Sequence, residues 1–245
     1  MLNLNKLKRG QEEIYNKKTV KDYYKIVGKD IDYKKMGSCD RYLLKILPKK
    51  LNNKIVLDIG CGNGKYSQLF CKLGTKRVDC IDRSKEMILE VEKRKKREKL
   101  NQLNIIFGDI DRYLFKKNEY DLIFSRFSLC HVKNLNKTIK NIVKSLKMNG
   151  QMYILTDYAE FKSTKLFNRL VGSIIPLYLI SNNKKVKIKN YIHRLEDYKK
   201  AIKKAGFILK IEKSFQPTGL SIYPRYQFKE IIKLKYIVLK AEKIK

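Results

Sequence analysis

The chain has 245 residues, of which 43% are hydrophobic and 33% are charged, with a formal net charge of +33 at pH 7. This composition fits a soluble globular protein of one ordinary domain that is long enough to bury a core. An N-terminal apolar segment and an apolar run of 18 residues are both absent from the sequence, so we expect neither secretion nor a membrane span, and we expect a cytoplasmic location.

The excess of basic residues has two explanations. The 57 Lys and Arg residues outnumber the 24 Asp and Glu residues along the whole chain rather than in one block, which favours a compositional bias over a dedicated site for a polyanion. Such a surface would still attract RNA or an anionic membrane surface through salt-dependent charge interactions. RNA and an anionic membrane surface therefore both stay open as partners.

The cysteine and histidine pattern argues against a metal site. The five cysteines and two histidines form no C-x-x-C pair and no Cys/His cluster with the spacing of metal ligands. We expect the cysteines to be reduced, buried side chains, and we expect no metal.

The first 50 residues predict a helical segment that precedes the main domain. This segment carries several tyrosines, and residues 39–47 indicate a helix that ends at Pro48 and leads into the first strand. We therefore divide the chain into an N-terminal helical cap at residues 1–50 and a main domain at residues 51–245.

Strands and helices alternate after residue 51. Apolar runs rich in β-branched residues predict strands, and apolar residues at helical spacing predict helices. The helix before the fifth strand is predicted to include Leu146 and to end at Asn149 and Gly150 as a C-cap. This order is typical of a parallel α/β sheet with right-handed crossover connections, which binds ligands at the carboxyl ends of its strands. The predicted strands begin with the run from residue 56 and continue at residues 77–82, 104–109, 120–127, 151–157, 207–215 and 236–243.

Residues 56–66, with the sequence VLDIGCGNGKY, predict a strand, a glycine turn and a helix. Glycines in such a turn allow backbone N–H groups and a helix N-terminus to approach a ligand. Gly60, Gly62 and Gly64 have the spacing G-x-G-x-G, which differs from the G-x-G-x-x-G of dinucleotide-binding folds, and no P-loop lysine follows. With Asp58 two positions before the first glycine, the run resembles motif I of the class I S-adenosylmethionine (SAM)-dependent methyltransferases.

The resemblance extends from residue 20 to residue 245 and is to the type 11, UbiE-like group that acts on small molecules. It implies a Rossmann-like fold with a seven-stranded, mostly parallel sheet, helices on both faces and an antiparallel last strand. It also implies S-adenosyl-L-methionine as the cofactor.

Acidic residues at two further strand ends match cofactor-binding positions of the family. Asp82 lies 22 positions after Gly60, where a carboxylate can bind the hydroxyls of a ribose; the alternative is that it caps the next helix, for which Ser84 is also suited. Asp109 and Ile110 resemble the segment that contacts adenine, although Asp109 could equally be a turn residue. The predicted cofactor-binding residues are Asp58, Gly60, Cys61, Gly62, Gly64, Asp82, Arg83, Asp109, Ile110 and Ser125.

Four residues are weaker candidates for the substrate side, and we leave the catalytic residue unassigned. His131 follows the fourth strand in a segment that resembles the family's, where such a histidine is more often structural than a general base. Tyr24 belongs to a segment similar to the N-terminal helix that closes over cofactor and substrate in this family. His193 and Arg194 open an HR-x-x-x-Y…AGF arrangement that small-molecule members share.

Residues 158–192 interrupt the alternation with an apolar run broken by Gly172 and Pro176. We expect an inserted lid over the active site; contact with a membrane surface and additional core packing are the alternatives. The sequence thus predicts a SAM-dependent methyltransferase acting on a small metabolite, which could be lipophilic.

Two other functions stay open. A tRNA methyltransferase is one, because the glycine run together with Cys80-x-Asp82-Arg83-Ser84 is similar to the tRNA wobble-uridine methyltransferases. A non-enzymatic SAM-fold protein that binds RNA or a partner is the other. The intact glycines and Asp82 argue against this last alternative.

Overall fold

The computed structural model describes residues 19–20, 22–24, 28, 30–34, 36–161, 174–181, 184–191, 193–216, 221–224 and 232–243. The helices are α1 (Ser38–Ile46), α2 (Lys65–Lys72), α3 (Lys85–Arg97), α4 (Leu135–Val143) and α5 (Leu195–Lys204). The strands are β1 (Ile55–Ile59), β2 (Arg77–Asp82), β3 (Leu103–Phe107), β4 (Tyr120–Arg126), β5 (Leu146–Phe161), β6 (Ile174–Ser181), β7 (Lys184–Tyr191), β8 (Phe207–Phe215), β9 (Ser221–Pro224) and β10 (Ile232–Lys243).

The main sheet has seven strands in the order β3-β2-β1-β4-β5-β10-β8. Strands β1 to β5 run parallel to one another, whereas β10 is antiparallel to both β5 and β8. In the centre of the sheet, Asp58 of β1 is paired with Cys80 of β2 and Phe124 of β4. The predicted seven-stranded sheet with an antiparallel last strand is confirmed.

The central strands are apolar on both faces because helices cover both faces. Leu57 and Ile59 of β1 belong to a core cluster with α4 and α5, whereas Val56 belongs to a second cluster with α1 and α2. The two clusters hold the carboxyl ends of β1, β2 and β4 at one edge of the sheet.

The predicted boundary between α4 and β5 is wrong. Helix α4 ends at Val143, and Leu146 already lies in β5, paired with Tyr120. The ladder shifts register between Tyr120 and Leu122, and Asn149 has a φ of 60°. Asn-Gly adopts left-handed backbone readily, both at helix ends and at strand irregularities, so the same dipeptide fits either structure.

A second, three-stranded sheet is formed by β6, β7 and β9, and it was not predicted from the sequence. Strands β6 and β7 form an antiparallel hairpin, and β9 pairs with β6 on its other side. Part of the predicted lid, residues 162–173, lies outside the described residues. The alternation of lysine with Val186 and Ile188 is a period-2 signal that could have identified β7.

Part of the predicted N-terminal cap is helical, whereas residues 28, 30–34 and 36–37 are not. Residues 19–20 and 22–24 are helical, and α1 ends at Ile46, directly before Leu47 and Pro48. Residues 1–18 lie outside the described part of the chain.

Candidate functional site

The glycine turn between β1 and α2 is formed by three glycines with left-handed backbone. The φ angles of Gly60, Gly62 and Gly64 are +63°, +55° and +74°. An added Cβ at Gly60 would lie 2.3 Å from Cβ of Ser128, and one at Gly64 would lie 3.1 Å from Val91. At Gly62, an added Cβ would meet no atom of the described residues within 4 Å. Gly60 and Gly64 thus permit close packing, whereas Gly62 borders open space.

That space is a cleft at the carboxyl ends of the strands. Gly60 and Gly62 form part of its lining. Asp82 at the end of β2, Asp109 just after β3 and Asp157 within β5 also line it. The cleft therefore combines bare backbone with several carboxylates, as expected for a site that binds a ligand rich in hydrogen-bond donors.

The carboxylate of Asp82 is fixed against the glycine turn. Gly62 N donates to Asp82 Oδ2 at 2.9 Å, and Ser84 N donates to Asp82 Oδ1 at 2.9 Å. Burial raises the pKa of this carboxyl group, while the two backbone donors oppose that rise. Ser84 caps α3 by accepting from Met87 N at 3.2 Å, so Asp82 does not itself cap the helix. Each carboxylate oxygen retains capacity to accept from a ligand.

Asp109 and Ile110 line the same cleft as Asp82 and Arg83. The backbone N–H of Asp111 donates to Asp109 Oδ1 at 3.0 Å, which shapes the turn after β3. The structure thus brings together the residues predicted at the ends of β2 and β3.

Four predicted cofactor-binding residues lie beside the cleft rather than in its lining. Asp58 is buried beneath the glycine turn and accepts from Ser67 Oγ at 2.5 Å; burial raises the pKa of Asp58 to about 7. Ser125 Oγ shares a hydrogen bond of 2.7 Å with Ser128 Oγ. Gly64 packs on α3, and the buried Cys61 thiol lies against that of Cys80. These groups support the shape of the turn.

Of the four substrate-side candidates, His131 lines the cleft. Tyr24 is buried and donates its hydroxyl to Met87 Sδ at 3.1 Å, whereas its neighbour Tyr23 lines the cleft. Burial lowers the pKa of His193, whose Nε2 lies 2.8 Å from Val132 O. Arg194 is the N-cap residue of α5 and forms an ion pair there with Asp197, 3.2 Å long.

A buried ion pair that the sequence analysis missed connects α1 to the cleft. Arg126, which lines the cleft, donates from Nε and Nη2 to the two carboxylate oxygens of Asp40 at 2.6 and 2.8 Å. Tyr66 also donates its hydroxyl to Asp40, at 2.9 Å. Burial opposes ionisation, but the guanidinium outweighs it and holds the pKa of Asp40 below its usual value. The partners are 86 positions apart in the chain, so no local sequence pattern predicts the pair.

A second missed group comprises Asp157, Asn190 and Tyr236 in the cleft lining. Asn190 Nδ2 donates to Asp157 Oδ2 at 2.6 Å, and burial raises the pKa of Asp157. Asp157 ends the predicted fifth strand, as Asp82 ends the second, and this shared position was a usable signal. Asn190 comes from β7 of the second sheet, whose position near the cleft the sequence does not show.

The five cysteines are buried and free. Among the described residues, no group of three His, Cys, Asp or Glu side chains is arranged to hold a metal ion. Within the same ranges, no helix has the length and apolar character needed to cross a membrane.

Residues 57–154 match the family model described as a methyltransferase domain. The chain is 34% identical over 134 residues to a ubiquinone biosynthesis O-methyltransferase of Pelagibacter ubique, covering 54% of each protein. It is 36% identical over 102 residues to a malonyl-[acyl-carrier protein] O-methyltransferase of Priestia megaterium, covering 41% of this chain and 36% of that protein. The chain thus matches about half, or less, of the length of these relatives.

Solved structures share the fold at lower sequence identity. A SAM-dependent methyltransferase from Mesorhizobium loti superposes with a TM-score of 0.62 at 14% identity, covering 84% of this chain and 99% of that chain. A phosphoethanolamine N-methyltransferase 2 from Haemonchus contortus, in complex with SAM, superposes with a TM-score of 0.68 at 19% identity, covering 94% of this chain and 58% of that one.

Proposed function

We propose that this chain, which has the class I methyltransferase fold and a methyltransferase domain over residues 57–154, is a SAM-dependent methyltransferase that acts on a small molecule. One observation carries the proposal: the open space at Gly62 adjoins the carboxylate of Asp82 in one cleft. A ligand that approaches bare backbone and also presents hydroxyl groups fits this arrangement, and the adenosyl and methionine parts of SAM meet both requirements.

Each part of the cofactor has a suitable group in the cleft lining. Gly60 and Gly62 would lie under the methionine part, and Asp82 would accept from the ribose hydroxyls. Asp109 would accept from the adenine amine, and Ile110 would pack on its ring. Bound SAM supplies a methyl group already activated on a sulfonium, so the protein's task is to align the acceptor and exclude water.

Aromatic side chains support a small acceptor. Tyr23, Phe127 and Tyr236 line the same cleft, and the rings of Phe127 and Tyr236 meet edge to face with centroids 5.0 Å apart. Asn190 of the inserted segment adds a polar wall, which supports a role for that segment as a cover of the acceptor site. The relatives named for ubiquinone biosynthesis and for malonyl-[acyl-carrier protein] are O-methyltransferases, so we propose oxygen as the methyl-accepting atom.

We place a small metabolite ahead of RNA, since the basic residues are spread along the chain. The proposal includes a cytoplasmic location, supported by five buried cysteines that are free of disulfides.

Transfer of label from tritiated SAM tests this function. The wild-type protein is incubated with a lipid and metabolite extract and, separately, with tRNA, and we expect label in the small-molecule fraction. Asp82→Asn should lose the transfer. Asp121→Asn is the matched control, because Asp121 lies at the amino end of β4 and binds Lys54 and Lys147. Label in tRNA alone would overturn the small-molecule acceptor, and failure to bind S-adenosylhomocysteine (SAH) would overturn the whole assignment.

A further inference from the structure

Two polar side chains in the cleft are buried without a full set of hydrogen bonds. Asp157 is 5% exposed and Asn190 is 6% exposed. Among the described residues, neither Asp157 Oδ1 nor Asn190 Oδ1 has a hydrogen-bond partner. Buried polar atoms are nearly always paired, so two unpaired acceptors on adjacent side chains of one cleft indicate a missing donor.

The contact between the two side chains determines which of their polar atoms are left without a hydrogen-bond partner. Asn190 Nδ2 donates to Asp157 Oδ2 at 2.6 Å, which turns the amide oxygen away from that bond. The opposite amide orientation would place two oxygens against each other. The two atoms of the pair that have no partner among the described residues are therefore both acceptors.

Among the described residues, the neighbouring groups supply one weak donor and no balancing positive charge. Burial and a hydrogen bond to the nearby Asp157 raise the pKa of the Cys130 thiol, so this group stays neutral and donates only weakly to the carboxylate. Burial lowers the pKa of His193, so its ring is neutral, and its Nε2 faces Val132 O. Arg126 lines the cleft but engages Asp40 through two nitrogens.

We propose that Asp157 and Asn190 select the methyl acceptor, which is a neutral aromatic compound with a hydroxyl group that donates to Asp157 Oδ1. The inference rests on the proposed function, because it assigns the acceptor side of the same cleft. Aromatic rings at Phe127 and Tyr236 offer a surface for an aryl group, and Tyr236 is paired with Asp157 across β10 and β5.

The same pair disfavours anionic acceptors. A carboxylate in this position would face the ionised form of Asp157 with like charge, and it would leave both buried oxygens without a donor. A site built to receive a donor rejects analogues that lack it, because its own polar groups then stay unpaired. Asn190 belongs to β7, so the inserted sheet contributes a positioning residue to acceptor selection.

Calorimetry on the SAH-saturated protein tests this inference without relying on turnover. The ligands are catechol, its dimethyl ether 1,2-dimethoxybenzene, and benzoate, which share one aromatic ring and differ in donor and charge. We expect catechol to bind about tenfold more tightly than the ether or benzoate, as the loss of a hydrogen bond to a charged group implies. Asp157→Asn should remove most of this preference and strengthen the binding of benzoate, and Asp121→Asn should leave the preference unchanged.

The outcomes separate this inference from the proposed function. Loss of SAH binding in the wild-type protein would reject the function itself. If SAH binds, then equal binding of the three ligands, no binding of any, or an unchanged preference in Asp157→Asn would reject the inference alone. If Asp157→Asn no longer binds SAH, Asn190→Leu decides: the inference requires weaker catechol binding with SAH affinity retained, and unchanged catechol binding overturns it.

Discussion

Replacing Gly62 with alanine isolates the space that the glycine turn leaves for a ligand. Gly62 has a φ of +55°, and an added Cβ would meet no atom of the described residues within 4 Å. The substitution therefore introduces backbone strain but no clash within the protein. A residue with a Cβ in left-handed backbone costs roughly 1–2 kcal/mol.

Gly206 provides a matched control. It lies between α5 and β8, has a φ of +84°, and an added Cβ there would likewise meet no described atom within 4 Å. Gly206→Ala should thus lose stability by the same roughly 1–2 kcal/mol. For a chain of this size, each kcal/mol lowers the Tm by about 2–4 °C.

The two variants should differ in binding. The methyl group at position 62 occupies the space that a closely approaching cofactor needs, and we expect SAH affinity to fall by at least about tenfold, or 1.4 kcal/mol. Gly206→Ala should bind SAH as the wild-type protein does. The assay is SAH titration by calorimetry, with thermal unfolding of both variants as the check on strain. Equal SAH affinity in Gly62→Ala and Gly206→Ala would refute the reasoning.

Two further predictions concern buried carboxylates. Asp40→Asn leaves Arg126 buried with a neutral partner and should cost about 3–5 kcal/mol in the free energy of unfolding by urea. The control is Glu90→Gln, because Glu90 pairs with the exposed Lys93 at 2.8 Å; this variant should cost at most about 0.5 kcal/mol. Similar costs in the two variants would show that the buried pair is not structural. Burial raises the pKa of Asp58 from 3.8 to about 7, so the folded state binds the extra proton between these values and loses stability as the pH rises through them. Asp58→Asn should therefore lose less stability than the wild type in thermal unfolding between pH 5 and pH 8, and an identical decline in both would contradict the assigned shift.

The parts of the structure that depend on neighbouring residues were predictable from the sequence. The strand, turn and helix around Gly60 to Gly64 are specified by adjacent residues, and the three glycines have the positive φ angles that glycine permits. Asp82 was also identifiable, because a carboxylate at the end of a predicted parallel strand must lie at the ligand-binding edge.

The missed features depend on contacts between distant residues. The Asp40–Arg126 pair joins α1 to β4, and Asn190 reaches Asp157 only because a second sheet forms from strands on both sides of β8. The error at Asn149 has a different cause: a left-handed asparagine before glycine is suited equally to a helix end and to an irregular strand. The sequence alone could not distinguish these two uses.

A crystal structure of the protein with SAH tests the central claim most directly. The account predicts that the ribose hydroxyls donate to the Asp82 carboxylate, that the amino-acid part lies over Gly60 and Gly62, and that adenine packs on Ile110. SAH bound outside this cleft, or bound within it with no contact to Asp82, would contradict the account.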